Sequence, residues 1–245
     1  MRVARRLNLP VGTVRDWHAG KLPRHSRTTL RNGDPIPPAC PACNHDEHRF
    51  EEFPEEYVYL LGLYLGDGTI STHRRRVFRL RIFLDKKYPS IVSECEAAMA
   101  AVMPASRVKR LLTPSNCFQV SSYSRAWPCL FPQHGRGVKH ERRIWLAAWQ
   151  QGLAEQWPRA LLRGMIHSDG CRFTNTRGSS DSWTAPRYSF ANVSTDITSI
   201  FSTACDKLDL RWTAAFPKDE TKAVVISVSR KADVARMAEF IGPKR

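Results

Sequence analysis

Two aspartates, one in each half of the chain, have the residue type and the setting for chemistry. Asp67 and Asp169 each follow a largely apolar stretch and precede a glycine, in the sequences YLLGLYLGDG and LLRGMIHSDG. Each stretch predicts a helix that ends at the Asp-Gly pair. A carboxylate at the carboxyl end of a helix meets the negative end of the helix dipole, which costs roughly 0.3–1 kcal/mol. Because helix stability disfavours an acid there, its occurrence in both stretches favours a functional role.

Small residues predict how the two helices meet: Gly62 and Gly66 share one face of the first helix, and Gly164 and Ser168 share one face of the second. Helices that cross along such faces approach closely and would bring the two aspartates side by side. Two adjacent carboxylates repel each other and do not both ionise unless a cation lies between them. Mg²⁺ takes such oxygen ligands, and paired acids that hold metal are suited to phosphodiester hydrolysis. The alternative is that each Asp-Gly pair only closes a buried helix.

Both stretches resemble the signature of the LAGLIDADG homing endonucleases, whose motif is a helix that ends in an acidic residue and a glycine. The first copy matches at Leu60, Gly62, Leu63, Asp67 and Gly68. The second copy matches at Leu162, Gly164, Asp169 and Gly170, with Met165 replacing the motif leucine. The earlier acidic position of the motif is Leu65 in one copy and His167 in the other. The resemblance covers residues 54–245.

The resemblance implies an α+β fold of two pseudo-symmetric α-β-β-α-β-β-α halves, near residues 54–125 and 158–245, whose sheets form a saddle over double-stranded DNA. It implies a monomer with internal pseudo-twofold symmetry, and site-specific cleavage of both strands with Mg²⁺ or Mn²⁺ held by Asp67 and Asp169. Family members often carry a basic residue at the start of the last strand of a half. Lys222 stands there in the second half and Cys117 near it in the first, an asymmetry that leaves nicking open.

Composition favours a nucleic-acid partner. The 245 residues include 38 Lys and Arg against 23 Asp and Glu, a net charge of +15 that favours a polyanion. There is no apolar run of about 18 residues, so no membrane span is expected. The first residues carry arginines without an apolar segment behind them, and the seven scattered cysteines are typical of reduced thiols. We therefore expect a cytoplasmic, nucleoid-associated protein.

Residues 1–24 predict a partial helix-turn-helix. Val14 and Trp17 form an apolar face, and Arg15 is left to point outward toward DNA. The first helix of the usual three-helix unit has no counterpart in this sequence. The alternative is a basic amphipathic helix pair without a binding role.

Residues 25–53 have the basic, proline-rich composition of a linker and contain Cys40-Pro41-Ala42-Cys43. A C-x₂-C pair supplies two ligands of a structural Zn²⁺, and either His45 or His48 could be the third. No fourth ligand is evident in the sequence. The alternative is a pair of free thiols in a linker.

Basic residues recur at positions suited to DNA contacts. In the first half, apolar residues alternate with Arg79 and Arg81, which predicts a strand with arginines on one face. The full set of predicted DNA contacts is Arg15, Arg74, Arg75, Arg79, Arg81, Lys139, Arg142 and Arg187. Lys139 and Arg142 belong to the basic run 134–143, and Arg187 begins a strand of the second half. The alternative for each is an ordinary solvated position.

A second function remains open: a sequence-specific, DNA-binding transcriptional regulator that keeps the LAGLIDADG fold without the chemistry. The helix-turn-helix segment favours the regulator, whereas the two intact aspartates favour the nuclease.

Overall fold

The computed structural model describes residues 40, 43, 48–176, 184–219 and 221–242. The predicted helix-turn-helix with Arg15, and His45 of the linker, lie outside these residues. Within them, the chain is a mixed α+β protein with two similar halves, as the sequence predicts. No helix in the described part is both long enough and apolar enough to cross a membrane.

The first half begins with its motif helix and continues through four strands. Its elements are α1 (Glu55–Asp67), β1 (Gly68–Thr72), β2 (Phe78–Asp85), α2 (Pro89–Val102), β3 (Lys109–Leu112), β4 (Cys117–Ser124) and the short α3 (Trp127–Leu130). The strands form one antiparallel sheet in the order β1-β2-β4-β3.

The second half repeats this order after the connecting helix α4 (Ala148–Gln156). Its elements are α5 (Pro158–Asp169), β5 (Gly170–Thr176), β6 (Thr184–Asn192), α6 (Thr195–Lys207), β7 (Thr213–Ala215), β8 (Val224–Val228) and α7 (Lys231–Ile241). The sheet order is β5-β6-β8-β7, the counterpart of the first sheet. The predicted α-β-β-α-β-β-α repeat is therefore confirmed.

Helix α1 lies in the core of the described part, and all its residues from Tyr57 to Leu65 are buried. It packs against α5 on one side, against α2 on another, and against strand β2. Buried tyrosines need partners for their hydroxyl groups, and the Tyr57 hydroxyl donates to the carbonyl oxygen of Leu130 at 2.6 Å. An apolar surface on every side of the helix thus corresponds to neighbours on every side.

One helix boundary differs from the sequence prediction. The apolar spacing predicts a helix over 144–152 with Trp145 and Trp149 on one face, but α4 begins at Ala148. The Ile144 N–H donates to Asp196 Oδ2 at 2.8 Å, and Gln150 Oε1 accepts from the Ala147 N–H at 3.0 Å. These side-chain acceptors hold the preceding residues extended, so Trp145 lies outside the helix and is 66% exposed.

Candidate functional site

The two motif helices touch through their backbones. A Cβ atom built on Gly62 would lie 2.9 Å from the Gly164 Cα, and one built on Gly164 would lie 3.0 Å from the Gly62 Cα. The contacts with main-chain oxygens are symmetric as well. The Cβ atom on Gly62 would lie 2.6 Å from the Leu161 oxygen, and the one on Gly164 would lie 2.2 Å from the Tyr59 oxygen. No residue with a side chain fits at either crossing point. The predicted crossing along the small-residue faces is confirmed.

The second pair of small residues brings the acidic helix ends together. A Cβ atom on Gly66 would lie 2.3 Å from Ser168 Oγ and 3.0 Å from Asp169 Oδ2. Asp67 follows Gly66 directly, and each aspartate is the last residue of its helix. The carboxylates therefore lie at the same end of the helix pair, where the chain leaves α1 and α5 for the two sheets.

Lys139 lies against this end of the helix pair. Its Nζ donates to the carbonyl oxygens of Tyr64 at 2.5 Å, Leu65 at 3.0 Å and Gly66 at 2.9 Å. An ammonium group has three donors, and all three are directed at the end of α1. Lys139 thus supplies donors to carbonyl groups of the last turn, although the Tyr64 carbonyl also accepts from the Gly68 N–H, and it offsets the negative end of the dipole.

The same lysine is a counter-charge for both acids. The pKa of Lys139 is lowered to about 8. Burial is the main cause and lowers it, and the attraction of the Asp169 and Asp67 carboxylates offsets part of that effect. The ammonium therefore offsets part of the cost of placing two carboxylates at helix ends. The sequence predicts a phosphate contact for Lys139, which stays a prediction; in the structure its donors face the end of α1.

The two acids have different neighbours. Asn192, the last residue of β6, donates from Nδ2 to Asp169 Oδ2 at 2.7 Å. Ile82 and Phe190 each pair with the glycine that follows an acid, so Asn192 corresponds in the first half to Leu84. Leu84 is a buried apolar residue and cannot orient a carboxylate. The motifs do not point to Asn192. The strand pairing of β5 with β6 is what places it beside Asp169.

A cleft beside Asp67 leads to the first sheet. It is lined by residues of the motif, the sheet and the basic run, namely Asp67, Thr69, Phe83, His134, Lys139 and Arg142. Arg142 donates from Nη1 to the Gln133 carbonyl oxygen at 2.8 Å and also lines a neighbouring cleft. Lys222 belongs to that second cleft, is exposed, and lies two residues before β8. Lys222 thus lines the second cleft and not the cleft that contains Asp67, while Arg142 lines both.

The face of the first sheet that points away from the core carries the predicted arginines. We call it the first open face; its residues are Thr69, Ser71, Arg79, Arg81, Phe83, Lys109, Leu111, Gln119, Ser121 and Tyr123. Arg79 lies over the Tyr123 ring at 5.4 Å and donates to Ser121 Oγ at 3.1 Å, and Arg81 lies over the Phe83 ring at 5.8 Å. Such stacking holds a guanidinium group in place before a ligand arrives.

Three buried donors on this face lack a partner among the described residues. The Nε atoms of Arg79 and Arg81 and the Nε2 atom of Gln119 are shielded from solvent, and none has a hydrogen-bond partner within the described ranges. Buried polar atoms are almost always paired in native proteins. Because these atoms are shielded, the side chains would have to reorient before the atoms could donate to a bound molecule.

The remaining predicted DNA contacts are spread over both halves. Arg74 and Arg75 are exposed in the turn between β1 and β2, where Arg75 has a positive φ of 61°. Arg187 lies on the outward face of the second sheet, over the Phe173 ring at 5.6 Å. We call the corresponding surface of the second sheet, with Cys171, Phe173, Arg187, Ser189, Ala191, Thr213, Ala215, Val225 and Ser227, the second open face.

A second cluster of metal-ligand residues lies apart from the motif. The linker residues Cys40, Cys43 and His48 come together with Cys129, the third residue of α3. The sequence predicts the first three as candidates; it gives no reason to select Cys129 from the other scattered cysteines.

Comparisons of the sequence find no match: no family model matches the chain, and neither does any curated protein. Comparisons of the structure do. A structure of variants of the homing endonuclease I-DmoI has a TM-score of 0.52 at 12% identity, covering 80% of this chain and 98% of that one. The structure of I-DmoI bound to DNA and Mn has a TM-score of 0.51 at 13% identity, covering 77% of this chain and 97% of that one.

A variant of I-DmoI with its target DNA, in the presence of Mg, gives a TM-score of 0.51 at 13% identity, covering 76% of this chain and 95% of that one. At such identities the likeness concerns the fold. It agrees with the crossed glycine faces, the paired helix-terminal acids and the repeated sheet order. The chain has the LAGLIDADG homing-endonuclease fold in its single-chain form, with both motifs on one polypeptide.

Proposed function

We propose that this protein is a site-specific, double-stranded DNA endonuclease of the homing type that requires Mg²⁺ or Mn²⁺. The observation that carries the proposal is the pair of carboxylates, Asp67 and Asp169, brought together at one end of two crossed helices. Two sheets with arginines on their open faces follow directly from these helix ends. The similar solved structures, which include DNA complexes with Mn and Mg, support the same function.

The residues present fit a divalent cation. Both helices end in carboxylates, and hard cations such as Mg²⁺ prefer oxygen ligands. The Asn192 amide holds Asp169 Oδ2 at 2.7 Å, an outer contact of the kind that orients a ligating carboxylate. Asp67 and Asp169 would hold the cation, which supplies a Lewis acid for phosphodiester hydrolysis.

The protein itself positions the acids and binds the DNA. Lys139 stabilises the last turn of α1, from which Asp67 projects. Lys222, exposed in the second cleft, is the candidate basic residue of the second half. Arg79, Arg81 and Arg187 on the open faces, with Arg74 and Arg75 at the turn, would contact phosphates or guanine edges. The net charge of +15 strengthens binding to any DNA.

A regulator that binds DNA without cutting it is the second candidate. It is favoured by Lys139, whose ammonium gives the acid pair a counter-charge without a metal ion. In that case binding would be insensitive to a chelator, and the paired acids would be a structural feature of the fold.

Cleavage of a plasmid library separates the two functions. We expect the wild-type protein to cut a subset of sites with Mg²⁺ and none with EDTA. Asp67→Asn and Asp169→Asn should each abolish cleavage while DNA binding persists, because an amide binds a divalent cation poorly. The double variant should lose little more than either single one, since the two acids act as a unit.

Asp209→Asn is the matched control, because Asp209 is exposed and has a positive φ of 50°, which asparagine tolerates. It should cut like wild type. Cleavage that survives both Asp67→Asn and Asp169→Asn would refute this active site. Tight, specific binding that EDTA does not change, without cutting of the bound site, would favour the regulator.

A further inference from the structure

Four metal-ligand side chains converge where the segment before α1 meets helix α3. The Sγ atoms of Cys40, Cys43 and Cys129 and a ring nitrogen of His48 all lie within 4.8 Å of one another. Cys43 Sγ and His48 Nε2 are 3.2 Å apart. Cys129 lies more than 80 positions along the chain from the other three residues, so the tertiary fold alone brings the fourth side chain to the group.

The distances fit a tetrahedral zinc centre. Bond lengths of about 2.3 Å for Zn–S and about 2.0 Å for Zn–N put sulfur atoms about 3.8 Å apart and sulfur and nitrogen about 3.5 Å apart. The observed separations are at most 4.8 Å, so shifts of about 1 Å would close the four atoms around one ion. Three cysteines with one histidine form an established structural zinc ligand set.

We propose that Cys40, Cys43, His48 and Cys129 bind one structural Zn²⁺. Thiolate ligands select zinc over Mg²⁺ or Mn²⁺, which the acid pair would take, so the two sites bind different ions. Four protein ligands leave no open position for substrate or water, which gives the zinc a structural role. Binding releases the three thiol protons to solvent.

The core fixes one side of this site. The Trp127 ring is fully buried and donates from Nε1 to the Ser122 carbonyl oxygen at 3.2 Å. At the other end of α3, the Leu130 carbonyl oxygen accepts from the Tyr57 hydroxyl at 2.6 Å and from Gln150 Nε2 at 3.3 Å. Cys129, between these residues, is therefore presented on a backbone that is held at both ends.

The other side of the site belongs to the linker residues before α1. Cys40, Cys43 and His48 precede α1, where the regular structure among described residues is one short turn, Phe50–Glu52. Phe50 stacks on Trp149 with ring centroids 4.3 Å apart, and Phe53 stacks on Tyr57 at 5.0 Å. Zinc would join this segment to α3 and fix how the chain enters the first motif helix.

Metal content tests the proposal directly. The full chain, purified in reductant without a histidine tag, should contain about one zinc per chain by mass spectrometry of the metals. Replacement of zinc by Co²⁺ should give the visible absorption bands of a tetrahedral thiolate site. These readouts do not depend on DNA cleavage, so they remain informative if the chain is a regulator.

Cys129→Ser is the decisive variant, because only the tertiary structure assigns that ligand. It should lose its zinc to a chelating dye that leaves the wild-type protein loaded. Cys117→Ser is the matched control: another partly buried cysteine outside the cluster, which should stay loaded. His48→Ala should release zinc, His48→Cys should retain it with four thiolates, and His45→Ala should behave like wild type. Circular dichroism of each variant establishes that the fold persists.

Three results would overturn the proposal. The first is the absence of zinc and of any cobalt spectrum from fully reduced, folded protein. The second is a Cys129→Ser variant that keeps its zinc as firmly as Cys117→Ser. The third is release of zinc from His45→Ala but not from His48→Ala, which would assign the histidine ligand to the other candidate.

Discussion

The two open faces share a backbone and differ in chemistry. With Ile82 and Phe190 as equivalent positions, the strand registers relate Arg79 to Arg187 and Arg81 to Ser189. By the same registers, the first face has Lys109, Phe83 and Gln119 where the second has Thr213, Ala191 and Val225. The first face is therefore more cationic and richer in hydrogen-bond donors. Two halves on one chain need not match, and a pair of unequal faces suits an asymmetric DNA site.

The motif helices differ in the same way. Helix α1 is buried on every side, whereas α5 carries polar side chains that contact both halves. Arg163 binds Glu94 at 2.7 Å and the Phe240 carbonyl oxygen at 2.7 Å. His167, at the earlier acidic position of the motif, lies 3.0 Å from the Tyr59 hydroxyl and 3.1 Å from the Ile241 carbonyl oxygen. The symmetric backbone thus tolerates a different polar network on each side.

The largest stability effect should come from Lys139, whose ammonium lies at the end of α1 and is attracted by both carboxylates. Lys139→Met keeps the length of the side chain but leaves three helix carbonyls and two carboxylates without the ammonium. We expect a loss of about 2–4 kcal/mol in the free energy of unfolding. Mg²⁺ should restore part of the loss if the acids bind it. Chemical denaturation with Mg²⁺ and with EDTA measures both; a variant as stable as wild type would contradict this role.

The crossing should be sensitive on both sides. Gly62→Ala and Gly164→Ala each place a methyl group against the backbone of the other helix, and we expect each to cost about 1–3 kcal/mol. Gly152→Ala in α4 is the control, because a Cβ there meets nothing within 4 Å and the helix should gain about 0.5–1 kcal/mol. Denaturation midpoints give the comparison. An unchanged midpoint for Gly164→Ala would show that the helices separate without cost.

Asn192 tests whether the two acids have unequal support. Asn192→Leu gives the second half the residue that the first half has at Leu84, and removes the 2.7 Å contact with Asp169. We expect cleavage or Mg²⁺ affinity to fall about 10–100-fold, as for other residues that orient a metal ligand, while DNA binding persists. Asn192→Asp, which loses the donor and adds a charge, should lower cleavage or Mg²⁺ affinity further. Equal activity of Asn192→Leu and wild type would mean that Asp169 needs no such partner.

The smallest effects should come from exchanges between the open faces. Arg81→Ala should weaken DNA binding and reduce the salt dependence of log affinity by about 0.9 if the contact is to one phosphate. Ser189→Arg should change the slope by about 0.9 in the opposite direction by making the second face resemble the first. Arg236→Ala is the control, because that side chain caps the Leu208 and Asp209 carbonyls from α7. An equal salt dependence of log affinity for all three variants would show that neither open face contacts DNA phosphates.

The sequence by itself determined what depends on local spacing. Periodicity predicted the motif helices and the alternation of Leu80, Ile82 and Leu84 with the arginines. The resemblance of the two motifs to a known family implied the repeated order of elements. Glycine spacing predicted the crossing at Gly62 and Gly164, because no other residue permits two backbones to touch. These features follow from neighbours within a few residues, which a sequence shows directly.

Only the tertiary structure decided which distant residues meet these elements. Lys139 reaches the end of α1 from a loop more than 70 residues away, Asn192 reaches Asp169 through strand register, and Cys129 joins the linker thiols through the folded core. Lys139 also shows how a basic residue in a polar run can be half-buried against a helix end. Such contacts depend on how the elements pack, and packing is set by the whole core rather than by the composition of any one stretch.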